Sequence, residues 1–156
     1  MNGYLVVLYA HSYLRWVVLA LACGLCVACA RARLGDGEWT RAHERLHVVF
    51  VGAFDLQFTL GLILYLGLSP YVRAFYASPG AAMKDAVLRF FGVEHVFSML
   101  IAISIVHIGR VRSKRVQGAA RHRRVLLFTI AVLVLLLIAI PWPFLPYARP
   151  LLRGLP

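Results

Sequence analysis

Four apolar stretches, each long enough to cross a bilayer, constrain this chain of 156 residues more than anything else in it. A spanning helix needs ~20 apolar residues, and such stretches cover about residues 4–30, 46–68, 87–108 and 125–145. None alternates polar and apolar residues with a period of two, which argues against a barrel. Within hydrocarbon the backbone has no water to bond, so each stretch must satisfy its own polar groups as a helix. The expectation is an all-α fold, a bundle of four transmembrane helices, with residues 1–156 forming one integral membrane domain. Hydrophobic residues at 62% and charged residues at 15% fall outside the roughly 45–50% and 25% of soluble domains. That balance excludes a disordered tail, a disulfide scaffold and a soluble enzyme core.

The net charge of +11 would suggest nucleic acid in a soluble protein. Here the basic residues lie between the apolar blocks, so no nucleic-acid partner is expected. Residues 31–46 carry Arg31, Arg33, Arg41 and Arg45, offset by Asp36, Glu38 and Glu44. Residues 110–124 carry Arg110, Arg112, Lys114, Arg115, Arg121, Arg123 and Arg124 with no acid. The opposite side holds Arg73, Lys84, Arg89, Arg149 and Arg153. Eleven basic residues against five predict both basic loops in the cytoplasm and both termini outside. Tyr4, Tyr9, Tyr65, Tyr71, Tyr76, Trp142 and Tyr147 then gather at the outer interface as an aromatic belt. Pro141, Pro143 and Pro146 break the end of the fourth helix. The first ten residues lack a basic region and Arg15 interrupts the apolar run, which argues against a signal peptide.

Ionisable groups inside a spanning helix are costly and mark a site by default. They are His11, Arg15, Asp55, Glu94 and His95, with polar Gln57 beside them and His47 and His107 near the inner interface. His11 lies seven residues into the first helix and His95 seven into the third, each ~10 Å deep at 1.5 Å per residue. Two imidazoles on different helices at one depth suit axial ligation of a haem iron. Arg15, one turn from His11, is placed to meet a haem propionate or a buried carboxylate. The other reading is that both histidines hydrogen-bond across helices and hold the bundle together.

His47 and His107 form a second, weaker candidate pair. His95 and His107 are twelve residues apart, a turn of about 120° on a helix, so two haems between the same helices would not share one face. Asp55 and Glu94 are candidates for a proton or quinone site, or for structural pairing with Arg15. One cation facing two carboxylates leaves an acid without an obvious partner. His43 and His47, spaced i and i+4, suit a metal less well than a solvated helix start. Cys23, Cys26 and Cys29 imitate an iron–sulfur spacing, but they sit on an apolar helix where small thiols serve packing.

Five strings occur in order along the chain: HSYLRWVVL (His11 to Leu19), DLQFTLGLILY (Asp55 to Tyr65), MKDAVLRFFGVEH (Met83 to His95), HIGR (His107 to Arg110) and IPWPF (Ile140 to Phe144). Together they resemble the small four-helix membrane proteins of Bacteroidetes-type bacteria labelled "cytochrome b", over nearly the whole length. His11, Arg15, His95 and His107 fall in the family's characteristic strings, whereas Asp55 stands where related chains carry a histidine before Leu-Gln. The resemblance implies a multi-pass protein of the bacterial inner membrane with a redox or accessory role. The expected function is a haem-b electron carrier linked to quinol or a respiratory complex, with iron on His11 and His95. The alternative is an accessory membrane subunit of a respiratory or photosynthetic complex with no cofactor of its own. Both place the lipid bilayer and other membrane subunits as partners, and quinone remains a second candidate ligand.

Overall fold

In the computed structural model, which describes residues 2–35 and 37–152, the chain is helical with no strand among the described residues. Asp36 and Arg153, counted above in the charge balance, lie outside the described residues. The four apolar stretches become α1 (Gly3–Leu34), α2 (Arg41–Leu68), α4 (Ala86–Ser113) and α5 (Gly118–Ala139), each long and apolar enough to cross a membrane. A short helix α3 (Pro70–Ala77) and a single turn Pro79–Ala82 link α2 to α4.

All four spans run further at the arginine-rich end than hydropathy alone suggests, α5 from Gly118 rather than residue 125. α1 carries Arg31 and Arg33 in its last turn and α4 carries Arg110 and Arg112. Cations at a helix C-terminus are favourable against the helix dipole, and their long side chains reach water from within the helix. α2 begins early because Thr40 caps it, its hydroxyl accepting from the His43 amide. α5 instead stops at Ala139, short of the expected residue 145, with Ile140 extended at ψ 128°. The residue before a proline is pushed out of the helical region, and Pro141 follows directly.

α1 packs along both α2 and α5, and α4 packs along α5, while the seam between α2 and α4 is the loosest. The core holds Val18, Ala22, Leu25, Cys29, Phe50, Phe54, Ala102, Val106, Val125, Val132 and Leu136. Fully buried Ala22 and Ala102 are the small residues that let spanning helices approach closely. Of the three cysteines only Cys29 joins this core, and Cys23 is exposed.

The arginine-rich end is tied by Glu44 on α2, which accepts from Arg110 on α4, from Arg121 on α5 at 2.6 Å and from the Trp39 indole at 2.9 Å. At the opposite end Tyr4 and Leu8 of α1 line one cavity with Arg149 and Pro150, so the first and last described segments meet there. Residues 141–152 fold over that end. The Leu151 carbonyl accepts from Arg15 Nη2 at 3.0 Å and from Trp16 Nε1 at 3.1 Å, and Tyr147 stacks on Phe90 at 3.7 Å.

Candidate functional site

Two of the four spanning helices contain a π-turn near the terminal end, at Leu64–Leu68 in α2 and at Phe90–Glu94 in α4. A π-turn displaces the backbone and frees carbonyls, and such turns are frequent at functional sites. The Tyr65 hydroxyl donates to the Gly92 carbonyl at 2.9 Å, joining the two turns. Gly92 is required where it stands, because a Cβ there would lie 2.5 Å from the Phe75 ring of α3. The second π-turn delivers His95 as the next residue.

His95 and His11 come side by side, ring centres 6.4 Å apart and planes at 73°. His95 Nδ1 lies 2.9 Å from the Ala139 carbonyl. A carbonyl only accepts, so Nδ1 carries the hydrogen and Nε2 keeps its lone pair. The sequence creates that carbonyl. The helical partner of Ala139 would be the amide of residue 143, and that residue is proline. Leu137 meets the same fate at Pro141, and its carbonyl accepts instead from Trp142 Nε1 at 2.8 Å.

His11 is held the same way from α2. Its Nδ1 donates to the Gln57 carbonyl at 3.2 Å, and Gln57 Nε2 donates to its Nε2 at 3.2 Å. Gly61, one turn along, leaves room for the ring, since a Cβ there would lie 3.0 Å from His11 Cε1. Gln57 is 7% exposed, and its Oε1 is buried with no partner among the described residues.

Three cavities adjoin the imidazole pair. One of about 110 Å³ lies under the 141–152 segment, with Arg15, Ser12 and Arg149 in its wall. One of about 40 Å³ opens into the α2–α4 seam beside Gln57 and Met99. A third of about 30 Å³ reaches Arg15, Val18 and Leu136.

The remaining candidates are placed elsewhere. His47 is buried against Trp39 with Arg110 at 3.3 Å, while His107 Nε2 lies 2.9 Å from Asp55 Oδ1. They have separate partners and no ring contact among the described residues. Asp55 and Glu94 are likewise apart, and each has a partner, contrary to the expectation of an acid left over. Glu94 accepts from Arg89 Nε at 2.7 Å, in the first turn of α4. Asp55 and His107 face outward at 45% and 53% side-chain exposure.

His43 completes the Thr40 cap and its ring meets His122 edge-on at 4.6 Å. Among the described residues no group of three or more His, Cys, Asp or Glu is arranged to hold a metal ion. Sequence reasoning named Gln57 as polar without giving it a role, and it missed Gly61, Tyr65 and fully buried His122. The i, i+4 spacing of Gln57 and Gly61 was the available signal.

The fold defines an α-helical protein with four membrane-crossing helices around a paired-imidazole site. Comparison of the chain with known protein families, with curated proteins and with solved structures finds no match.

Proposed function

We propose that the chain is a haem-b electron-transfer protein of the bacterial inner membrane, holding iron between His11 and His95. One observation carries this reading: two imidazoles at 6.4 Å, each with Nδ1–H committed to a backbone carbonyl. Two imidazoles sharing one metal at bonds of about 2 Å have ring centres about 6 Å apart. Metal-bound histidines usually donate their other ring N–H to a carbonyl or carboxylate, which fixes the tautomer. The two imidazoles therefore suit the part of iron ligands, with Gln57 as the side chain that yields, since its amide oxygen is unpaired where it stands.

Bound there, haem b supplies a one-electron redox centre whose potential the protein sets by burial and hydrogen bonding. The chain's own contributions are separable. Ala139 and Gln57 orient the two rings through their carbonyls. Arg15 brings positive charge to the walls of two adjoining cavities, suited to a propionate. The 141–152 segment covers the site from the terminal end and limits water. Electrons would come from a quinol or a respiratory complex in the same bilayer.

The test is the dithionite-reduced minus oxidised spectrum of the chain purified from membranes and supplied with haemin. A reducible Soret band is expected, lost in His11→Ala and in His95→Ala. A chain that takes up no haem, or variants that keep the band, would end this reading. One observation favours the accessory-subunit alternative. Asp55 and His107 form a half-exposed polar pair, costly against lipid and suited to cover by a neighbouring subunit.

A further inference from the structure

The two arginine-rich connections meet in a groove that the redox reading leaves unused. Where α1 ends and α5 begins, Arg33, Ala119, Ala120, Arg123, Arg124 and Leu127 line a groove of about 540 Å³. That volume is within the roughly 300–1,000 Å³ typical of ligand sites. Arginines from two helices share it, and no carboxylate is among its described lining residues.

Elsewhere at this end Arg110 and Arg121 share the Glu44 carboxylate. Arg124 Nη1 donates to the Arg112 carbonyl at 2.9 Å, which satisfies one donor and no charge. Arg33 and Arg123 are exposed and have no ion-pair partner among the described residues. Like charges gathered at one place repel, so the groove is arranged for an anion able to accept from several guanidinium groups.

Its position selects the kind of anion. Ala119 and Ala120 put no bulk in the way, and Leu127, 55% exposed, extends the wall into the apolar span of α5. The groove therefore straddles the border between polar headgroups and hydrocarbon. A free anion uses only its upper half, whereas a lipid uses both. Basic pockets between spanning helices bind anionic headgroups by this combination.

We propose that the groove holds an anionic phospholipid, its phosphate against Arg33, Arg123 and Arg124 and an acyl chain along Leu127. The inference does not depend on haem. The experiment is native mass spectrometry of the full chain released from bilayer discs containing equal phosphatidylglycerol and phosphatidylcholine. Retained phosphatidylglycerol is expected in the wild type, reduced about fivefold by each of Arg33→Gln and Arg123→Gln. Both side chains are exposed and make no contact the fold needs.

The double substitution Lys114→Gln and Arg115→Gln, exposed at the same end but outside the groove, should leave retention unchanged. Equal loss in that control would show diffuse surface attraction and overturn the site, as would equal retention of both lipids. A parallel titration uses inorganic phosphate with the detergent-purified chain. Displacement of the lipid by millimolar phosphate, with the same dependence on Arg33 and Arg123, would overturn the lipid assignment in favour of a soluble anion.

Discussion

Gln57 engages His11 at both ring nitrogens, through its carbonyl and through its side-chain amide. Only the first contact serves a ligating histidine. The second occupies the nitrogen that iron would need under the proposed ligation, and it leaves Oε1 buried without a partner among the described residues. Gln57→Leu removes the orphaned Oε1 but leaves His11 Nε2 unpaired, so the two effects offset and stability should stay within about 1 kcal/mol of the wild type. Haem content per chain after reconstitution should hold or rise. Gly61→Ala should act oppositely, because its Cβ would press on the His11 ring at 3.0 Å. Displacing a ligand's support costs roughly tenfold or more in affinity, read as haem retained after dialysis. If Gly61→Ala retains haem as the wild type does, His11 does not hold the iron. Depth along each helix made the pairing of His11 with His95 legible from the sequence. The part played by Gln57 was not, because it depends on which face of α2 turns toward α1.

Prolines decide how α5 ends and what that end does. Pro141 and Pro143 deny helical partners to the carbonyls of Leu137 and Ala139, and the side chains of Trp142 and His95 take those places. Replacing both prolines by alanine should let α5 continue, reclaim the Ala139 carbonyl and release His95 Nδ1. Haem retention should fall while helix content by circular dichroism does not. The π-turn of α4 has a comparable dependence on Gly92. Gly92→Ala should destabilise the chain by about 1–3 kcal/mol through overpacking against Phe75. Phe75→Ala should recover part of that loss, and a double-mutant cycle of thermal unfolding in detergent would show the coupling. The spans themselves were legible, since apolar length alone marks them. Their ends were not. Arginines extend α1 and α4 past the apolar stretch, and α3 and the π-turns depend on contacts such as Tyr65 with Gly92 that no local pattern encodes.

At the scale of the whole molecule, charge and chemistry separate to opposite ends. The imidazole pair and its cavities lie toward the end with Tyr4 and Arg149, and Glu44 gathers Arg110 and Arg121 at the other. The positive-inside rule counts Lys and Arg in short loops and largely ignores acids, so Glu44 does not weaken the eleven-to-five bias read from the sequence. The arginine-rich end should therefore face the cytoplasm, with the imidazole pair nearer the outer surface. Alkaline phosphatase, which is active only outside the cytoplasm, should be inactive when joined after Gln117 and active when joined after Leu152. Changing Arg110, Arg112, Lys114 and Arg115 to Gln removes four of the eleven inner charges and should give a mixed population with activity at both junctions. Phosphatase activity after Gln117 in the unaltered chain would invert the assignment. The paired histidines would then exchange electrons on the cytoplasmic side, and the arginine groove would draw its lipid from the outer leaflet.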